Sequence, residues 1–520
     1  MSVPEYPYVR ISRVADGFEL EGSPGALLGN RLETPGRRDP EGIWCQWSWD
    51  GARLTLRNDR YGMFPVYYWA TDRTIAISPS IGRLLQLGAP GEFDDHGIAA
   101  YLRLGFFLGE DTPFRAIRAL PPNATVSWPG PTPAPRCSYM PRRMECRTRQ
   151  QVVDGYVDLF RQAVAQRLPT TSDRCVLPLS GGRDSRHIAF ELNRQGVIPA
   201  LCVTQEHFAE RANEDLLIGK QLCEALGWTH RSIPQVRSRY AAEVRKNRLL
   251  ECCSDEHAWF LPTADVLNGE GFTVCYDGLA GDALSQIWFL SEKLSRMVAS
   301  KEAERFLTAV QPALGVSDTA LYCLLNADYR MRWGRGAAID RLTAEFARIE
   351  GDGDLSQAFF FWNRTRREIV LCMQRMLRPS VRIHHPYLDH DLFDFLWATP
   401  GEVLWSGALH DEVIAKAFPP FSSIPFENKN APLHRERVIR ESALFARALA
   451  RDRNVATLAA PLNWRTMAPR MLRALLSPSY AESLGWMSSA ALWMIQLRDL
   501  SKGVGQPLSP QAGTRSGVSY

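Results

Sequence analysis

The sequence has little that would hold a metal cluster, a membrane or a nucleic acid. Its 11 cysteines include the adjacent pair Cys252 and Cys253 but no CxxC spacing and no Cys/His cluster. That pattern argues for reduced thiols and against a disulfide framework or a zinc site. No uncharged apolar run reaches the roughly 20 residues that cross a bilayer, and Met1 to Glu5 has neither the basic region nor the apolar core of a secretory leader. A cytoplasmic location without a membrane partner is the expectation. The net charge is only +4 over 520 residues, with arginines interspersed among acids, so nucleic acid is not an expected partner. No internal repeat is present. A P-loop is missing as well: Gly219 and Lys220 are followed by Gln221, and Glu214 stands where the first glycine of that motif is needed.

With 45% hydrophobic and 23% charged residues, the chain can bury large cores and should form two or more domains. Its most informative stretch is Ser180, Gly181, Gly182, Arg183, Asp184 and Ser185. It follows the short apolar run Cys175 to Leu179 and precedes a helix-patterned segment beginning Arg186-His187-Ile188. The order is strand, glycine loop, helix. Paired glycines allow close approach to an anion, and free N–H groups at the helix N-terminus favour negative charge, so polyphosphate is the expected guest. The carboxylate of Asp184 would be repelled by phosphate unless a divalent cation lay between them, which implies Mg²⁺. By chance, the five fixed letters occur in about one sequence per thousand of this length.

The pattern continues as a repeating strand–helix order. Ile188, Ala189 and Leu192 have helical spacing, Gly196 stands at a C-cap position, and Val197 to Val203 reads as the next strand. A helix is predicted from Glu214 to Leu226, with Leu217, Ile218, Leu222, Ala225 and Leu226 on one face and Gly227 at its end. Trp228 to Ile233 reads as another strand. Such repetition makes an α/β parallel sheet with ligands at the carboxyl ends of its strands.

These residues carry a resemblance. Ser-Gly-Gly-x-Asp-Ser resembles the pyrophosphate loop of the ATP pyrophosphatases (the adenine nucleotide α-hydrolase-like fold), which cleave ATP to AMP and pyrophosphate. Three further segments are similar to the asparagine synthetase family, which includes the β-lactam synthetases and lasso peptide cyclases. Gly271 to Asp282 resembles its strand and Ser-Gly-Glu-Gly-Ala-Asp loop, His385 to His390 its Val-Pro-Phe-Leu-Asp segment, and Asn428 to Pro432 its lysine motif. The order and spacing match over residues 40 to 440. The resemblance implies an ATP site at Ser180, Gly181, Gly182, Asp184, Ser185, Val203 and Gly278, metal at Asp184 and Asp282, and catalytic roles for Asp184, Asp282 and Lys429.

Leu54 to Tyr68 is similar to the Arg-Asp-Arg-x-Gly-x-x-Pro-Leu-Tyr-Tyr stretch of that family's glutamine amidotransferase domain (an Ntn-type fold), with Asn58 in place of the first arginine. A glutaminase of this type has Cys after Met1; here Ser2 follows, and Cys45 lies among aromatic residues as a small core residue. The expected map is a degenerate β-rich amidotransferase-like domain over 1–128 and a proline-rich linker over 129–149. An ATP-pyrophosphatase domain over 150–450 follows, then a helical extension over 451–520 with a disordered tail from Ser501.

The expected chemistry is activation of a carboxylate, because attaching AMP turns a poor leaving oxygen into a stable one. Crowded negative charge then requires metal and cations, the role given to Asp184, Asp282 and Lys429. Leu279 stands where the family carries Glu, and an aliphatic side chain cannot accept a proton. His384, His385, Tyr276 and the acidic pair Asp255 and Glu256 beside His257 are the candidates for that task, while Asp389 and His390 are expected to fix the loop. The readings that survive are an amide ligase using ammonia or a small amine and a peptide macrolactam synthetase. The substrate is then a small-molecule or peptide carboxylate, and the second reading brings a precursor peptide and a processing protease as partners. A third reading is an inactive nucleotide-binding homologue.

Overall fold

Buried strand Cys175–Pro178 is flanked by two other short apolar strands, and only a sheet covered on both faces accommodates such runs. The computed structural model describes residues 6–502 apart from residues 35, 37–38, 130–138, 209–212, 286–290, 428–433, 452–460, 478–479 and 481–483. Its central sheet is wholly parallel, in the order His230–Ile233, Leu201–Gln205, Cys175–Pro178, Val274–Tyr276, Arg382–His384. The order reverses at Cys175–Pro178, so the loop after that strand opens at the switch point where α/β sheets bind ligands. The expected α/β parallel sheet is therefore present.

The N-terminal part is β-rich, as expected. One antiparallel sheet runs Gly17–Gly22, Val9–Val14, Thr74–Ser78, Tyr67–Ala70, Arg118–Ala119; the other runs Gly25–Leu32, Glu41–Trp49, Leu54–Asn58, Thr125–Trp128. Leu54, Leu56 and Asn58 are buried while Thr55 and Arg57 are exposed, the period of two that faces one side of a strand inward. Strand Gly25–Leu32 packs against Arg382–His384 of the parallel sheet. A fully buried ion triad also joins the two parts: Arg167 donates to Glu41 and, at 3.1 Å, to Asp389. Among the described residues no helix is long and apolar enough to cross a membrane.

Several element boundaries differ from expectation, each for a local reason. The predicted strand over Val197 to Val203 begins only at Leu201: Gly196 is left-handed (φ 74°), Pro199 has no N–H to donate, and Ile198 is exposed. The strand predicted from Trp228 starts at His230, and the first strand ends at Pro178 rather than Leu179. Helix Glu214–Leu226 has the predicted limits and ends on left-handed Gly227, but its inward face is Ile218, Gly219, Leu222 and Cys223. Leu217 and Ala225 point to solvent. Residues 503–520 of the expected tail and 130–138 of the expected linker lie outside the described residues, while Ser501 and Lys502 close the helix Gly485–Lys502. Within the expected linker, Arg142 is completely buried and donates to the carbonyls of Asp354 (3.1 Å) and Thr399 (2.9 Å), which ties that part of it to the core.

Candidate active site

The glycine loop sits between its strand and helix Asp184–Arg194, held by its own hydroxyls. Ser180 Oγ lies 3.1 Å from Ser185 Oγ and accepts from the Gly182 N–H at 3.1 Å, while the Ser180 N–H donates to Ser185 Oγ at 3.1 Å. The Gly181 N–H, expected to be free, donates to Asp215 Oδ1 at 2.6 Å; the other Asp215 oxygen lies 3.1 Å from His207 Nε2. An anion entering here therefore has to displace or share a carboxylate. Cations frame the loop: Arg183 pairs with Asp411 and Arg186 donates to the carbonyls of Ile424 (2.8 Å) and Pro425. Phe426 lies under both guanidinium groups, 4.6 Å and 4.1 Å from its ring centre. The Glu427 N–H donates to the Gly181 carbonyl at 3.0 Å. The chain thus enters the Asn428 to Pro432 segment from the loop itself, though Lys429 lies outside the described residues.

Asp184, the first residue of its helix, meets the second motif directly. The Asp282 N–H donates to Asp184 Oδ2 at 3.2 Å, and a Cβ on Gly278 would stand 2.6 Å from Asp184 Cβ, so only glycine permits this approach. Asp282 lies in the first turn of the short helix Gly281–Ser285, so the two aspartates stand at two helix starts that meet through this hydrogen bond. Hard oxygen donors arranged in this way fit Mg²⁺. Behind Asp184 is a buried polar network. His410 Nδ1 lies 3.4 Å from Asp184 Oδ1 and 3.3 Å from Ser285 Oγ; His410 Nε2 lies 3.2 Å from His187 Nδ1; the Tyr387 hydroxyl donates to the Asp184 carbonyl at 3.2 Å. Burial holds His410 down to about 3 and His187 well below its ordinary value, so both rings are neutral around the carboxylate.

The structure thus brings together Ser180, Gly181, Gly182, Asp184, Ser185, Gly278 and Asp282. Val203 is buried in the neighbouring strand, where its carbonyl accepts from the Leu179 N–H at 2.8 Å; it touches the loop through the sheet. Asp389 caps the helix His390–Trp397 through the N–H groups of Asp391 and Leu392, the fixing role expected of it.

The candidates for taking up a proton are scattered. The Tyr276 hydroxyl donates to the Arg167 carbonyl, and His384, pushed down to about 3 by burial, lies 3.3 Å from the Asn30 amide. His385 Nδ1 lies 3.3 Å from Asp277 Oδ2. Asp255 and Glu256 meet a residue missed by sequence reasoning, Glu368, with ligand oxygens of all three within 4.8 Å of one another. Glu368 and Arg364 sit on the π-helix Phe361–Ile369, which also buries Asn363, Thr365, Arg366 and Arg367. The signal that could have found them is that charged run, Arg364 to Glu368, between Phe359-Phe360-Phe361-Trp362 and Ile369-Val370-Leu371.

In the N-terminal sandwich, Cys45 is fully buried in the strand Glu41–Trp49, and burial pushes its thiol far above its ordinary value. Ser2 lies outside the described residues. Asn58 spans the turn, donating to the Pro121 carbonyl (2.8 Å) and accepting from the Ala124 N–H (2.6 Å).

A family model, that of asparagine synthase, matches residues 155–410. No curated protein matches the sequence. Among solved structures, the NH3-dependent NAD synthetase from Campylobacter jejuni, in complex with the nitrate ion, is similar at 17% identity. That match covers 39% of this chain and 94% of the other, with a TM-score of 0.15.

Proposed function

From membership of the asparagine synthase family, which the chain holds through residues 155–410, we propose that it is an ATP-dependent amide ligase that forms AMP and pyrophosphate. The observation that carries this reading is the meeting of Ser180–Ser185 with Gly278 and Asp282 around one carboxylate, that of Asp184. A carboxylate substrate attacks the α-phosphorus of ATP, pyrophosphate leaves, and an amine then displaces AMP from the acyl-adenylate. Asp184 and Asp282 would hold Mg²⁺, which neutralises the phosphates when bound. The hydroxyls of Ser180 and Ser185 donate to the polyphosphate, and the start of helix Asp184–Arg194 faces it with a partial positive charge. Lys429 is assigned to the charge that develops as pyrophosphate leaves. We read the N-terminal sandwich as an Ntn-type amidotransferase scaffold that no longer makes ammonia, since burial raises the thiol of Cys45 far above its ordinary value and Cys45 has no α-amine of its own beside it.

That same lost nitrogen source favours a second reading, a peptide macrolactam synthetase resembling the lasso peptide cyclases. There the amine belongs to the peptide whose Asp or Glu side chain is activated, and a precursor peptide and its protease would be the partners. Isotope exchange between pyrophosphate and ATP, run over aspartate, glutamate and peptide carboxylates, tests both readings. Exchange with one class of carboxylate is expected; ADP and phosphate as products would refute the assignment.

A further inference from the structure

Leu279 leaves the amide-forming step without the carboxylate that resembling enzymes place there, and the structure holds three others next to that loop. Asp255, Glu256 and Glu368 converge on one guanidinium: Arg364 lies 2.7 Å from Glu256 and 3.5 Å from Glu368. Glu368 Oε1 accepts from the Asp255 N–H at 3.3 Å and from Ser254 Oγ at 3.4 Å, so Asp255 is folded back onto Glu368. Lys246, the next cation, is already paired with Glu243 at 2.8 Å. Half-buried Asp255 and buried Glu368 lie against each other beside the third carboxylate, with Arg364 the cation in contact, and the pair must retain a proton.

Its position ties it to the chemistry. The π-helix that carries Arg364 and Glu368 packs on Gly281–Ser285, the helix of Asp282, whose charge acts on Arg364. π-helical turns of this kind recur at functional sites. An independent sign of a ligand is His257. It is only 8% exposed, its backbone is left-handed (φ 74°), a strained state for a non-glycine residue, and its Nδ1 has no hydrogen-bond partner. The carboxylates that act on this ring are Glu256, from the cluster, and Asp277, from the loop of Leu279. An unsatisfied, nine-tenths buried donor or acceptor between the two is where a polar substrate group would be received. Glu256, with its side chain 42% exposed, opens the cluster to solvent.

We propose that Asp255 and Glu368 share one proton and that Asp255 is the base that receives the proton of the attacking amine, with Glu368 positioning it. The inference rests on the ligase reading above. As the amine nitrogen bonds the acyl carbon, one N–H proton passes to the Asp255 carboxylate. The carbon–oxygen bond to AMP then breaks with its electron pair leaving on AMP, and the proton returns to water past Glu256. Burial raises Asp255 to about 7 and Glu368 well above the ordinary carboxylate range, against the opposing pull of Arg364. The groups that face the pair are Tyr101, Lys246, Glu256, His257 and Arg364. A base with a conjugate acid near neutrality is suited to proton transfer at cellular pH.

The test compares the two half-reactions in Asp255→Asn and Glu368→Gln, the second variant guarding against misfolding of the first. Aspartate, glutamate and a peptide carrying both serve as carboxylates, and ammonia and hydroxylamine as nucleophiles. Pyrophosphate exchange should stay within about threefold of wild type, while amide formation from ammonia falls at least about 100-fold. Hydroxamate should still form, because hydroxylamine is a strong enough nucleophile to attack the acyl-adenylate and give its N–H proton to water without a positioned base. At a constant concentration of free ammonia, the wild-type amide step should rise about tenfold per pH unit up to about 7 and level off above, since below that value Asp255 is protonated; exchange should lack this limb. Amide formation near the wild-type rate in Asp255→Asn, or loss of exchange and hydroxamate together, overturns the inference. A wild-type protein without exchange on any carboxylate defeats the ligase reading itself.

Discussion

Asp59 and Asp184 both follow a strand and both face a turn containing glycine, yet their carboxylates are used in opposite ways. Asp59 is 1% exposed and accepts from four backbone N–H groups, those of Trp44, Tyr61, Met63 and Phe64, at 3.0–3.2 Å. Its lone pairs are consumed in holding the turn Tyr61 to Phe64 against the sandwich. Asp184 keeps 24% of its side chain exposed and is backed by side chains, His410 among them, with a backbone donor from Asp282. A carboxylate saturated by its own backbone is structural; one oriented from behind and open in front is available to a ligand. The N-terminal turn carries the first kind of aspartate, near Cys45, whose thiol is raised by burial far above its ordinary value.

The sharpest way to break this contrast is to neutralise each aspartate. Asp184→Asn and Asp282→Asn keep shape but remove the charge that would hold Mg²⁺, and each should lower turnover by about 10²–10³-fold with an unchanged melting temperature. A fall in melting temperature of the size expected for a core defect would show that Asp184 is structural after all. Asp59→Ala should do the reverse. It orphans four buried N–H groups, each costing about 1–3 kcal/mol, so stability should drop by at least about 3 kcal/mol in chemical denaturation. Arg167→Met, which strands the buried Glu41 and Asp389 carboxylates, should cost about 3–5 kcal/mol by the same measurement. Because Asp389 caps the helix after the Arg382–His384 strand, that variant would also show how far the sandwich braces the parallel sheet.

How much of this was legible in the sequence follows from the range of each interaction. The loop Ser180–Ser185 and the helix Glu214–Leu226 are written locally, in glycines, caps and spacing; the second has the limits read for it, and the helix after the loop starts at Asp184, two residues before the Arg186 of the reading. The meeting of Gly278 with Asp184 required the resemblance, since the two are far apart in the chain. Glu368 joins Asp255 across 113 residues, and no local pattern announces that contact; the charged run inside an apolar helix signals only that something compensates it. The inward face of Glu214–Leu226 was misread because Leu217 and Ala225 were taken as buried for being apolar, whereas an exposed leucine costs a surface helix little. Lys429 was read from its motif alone.

The smallest expected effect closes the comparison from the N-terminal side. If that sandwich is a retired glutaminase, nothing in it should respond to glutamine. Cys45 lies in the middle of a buried strand, without an α-amine beside it to accept its proton, and burial holds its thiol in the unreactive form. Incubation with glutamine, ATP and Mg²⁺ should release no glutamate. Cys45→Ser should leave both pyrophosphate exchange and amide formation unchanged while costing about 1–2 kcal/mol for burying a hydroxyl in an apolar site. Glutamate release that depends on Cys45 would reverse the assignment, because it would require the strand Glu41–Trp49 to open and the thiol to ionise. Release that persists in Cys45→Ser would instead point to another nucleophile and leave the amine supply inside the protein. With no release, the amine arrives from outside, and a loss of one water from a supplied peptide, read by mass, distinguishes ring closure from ligation to ammonia.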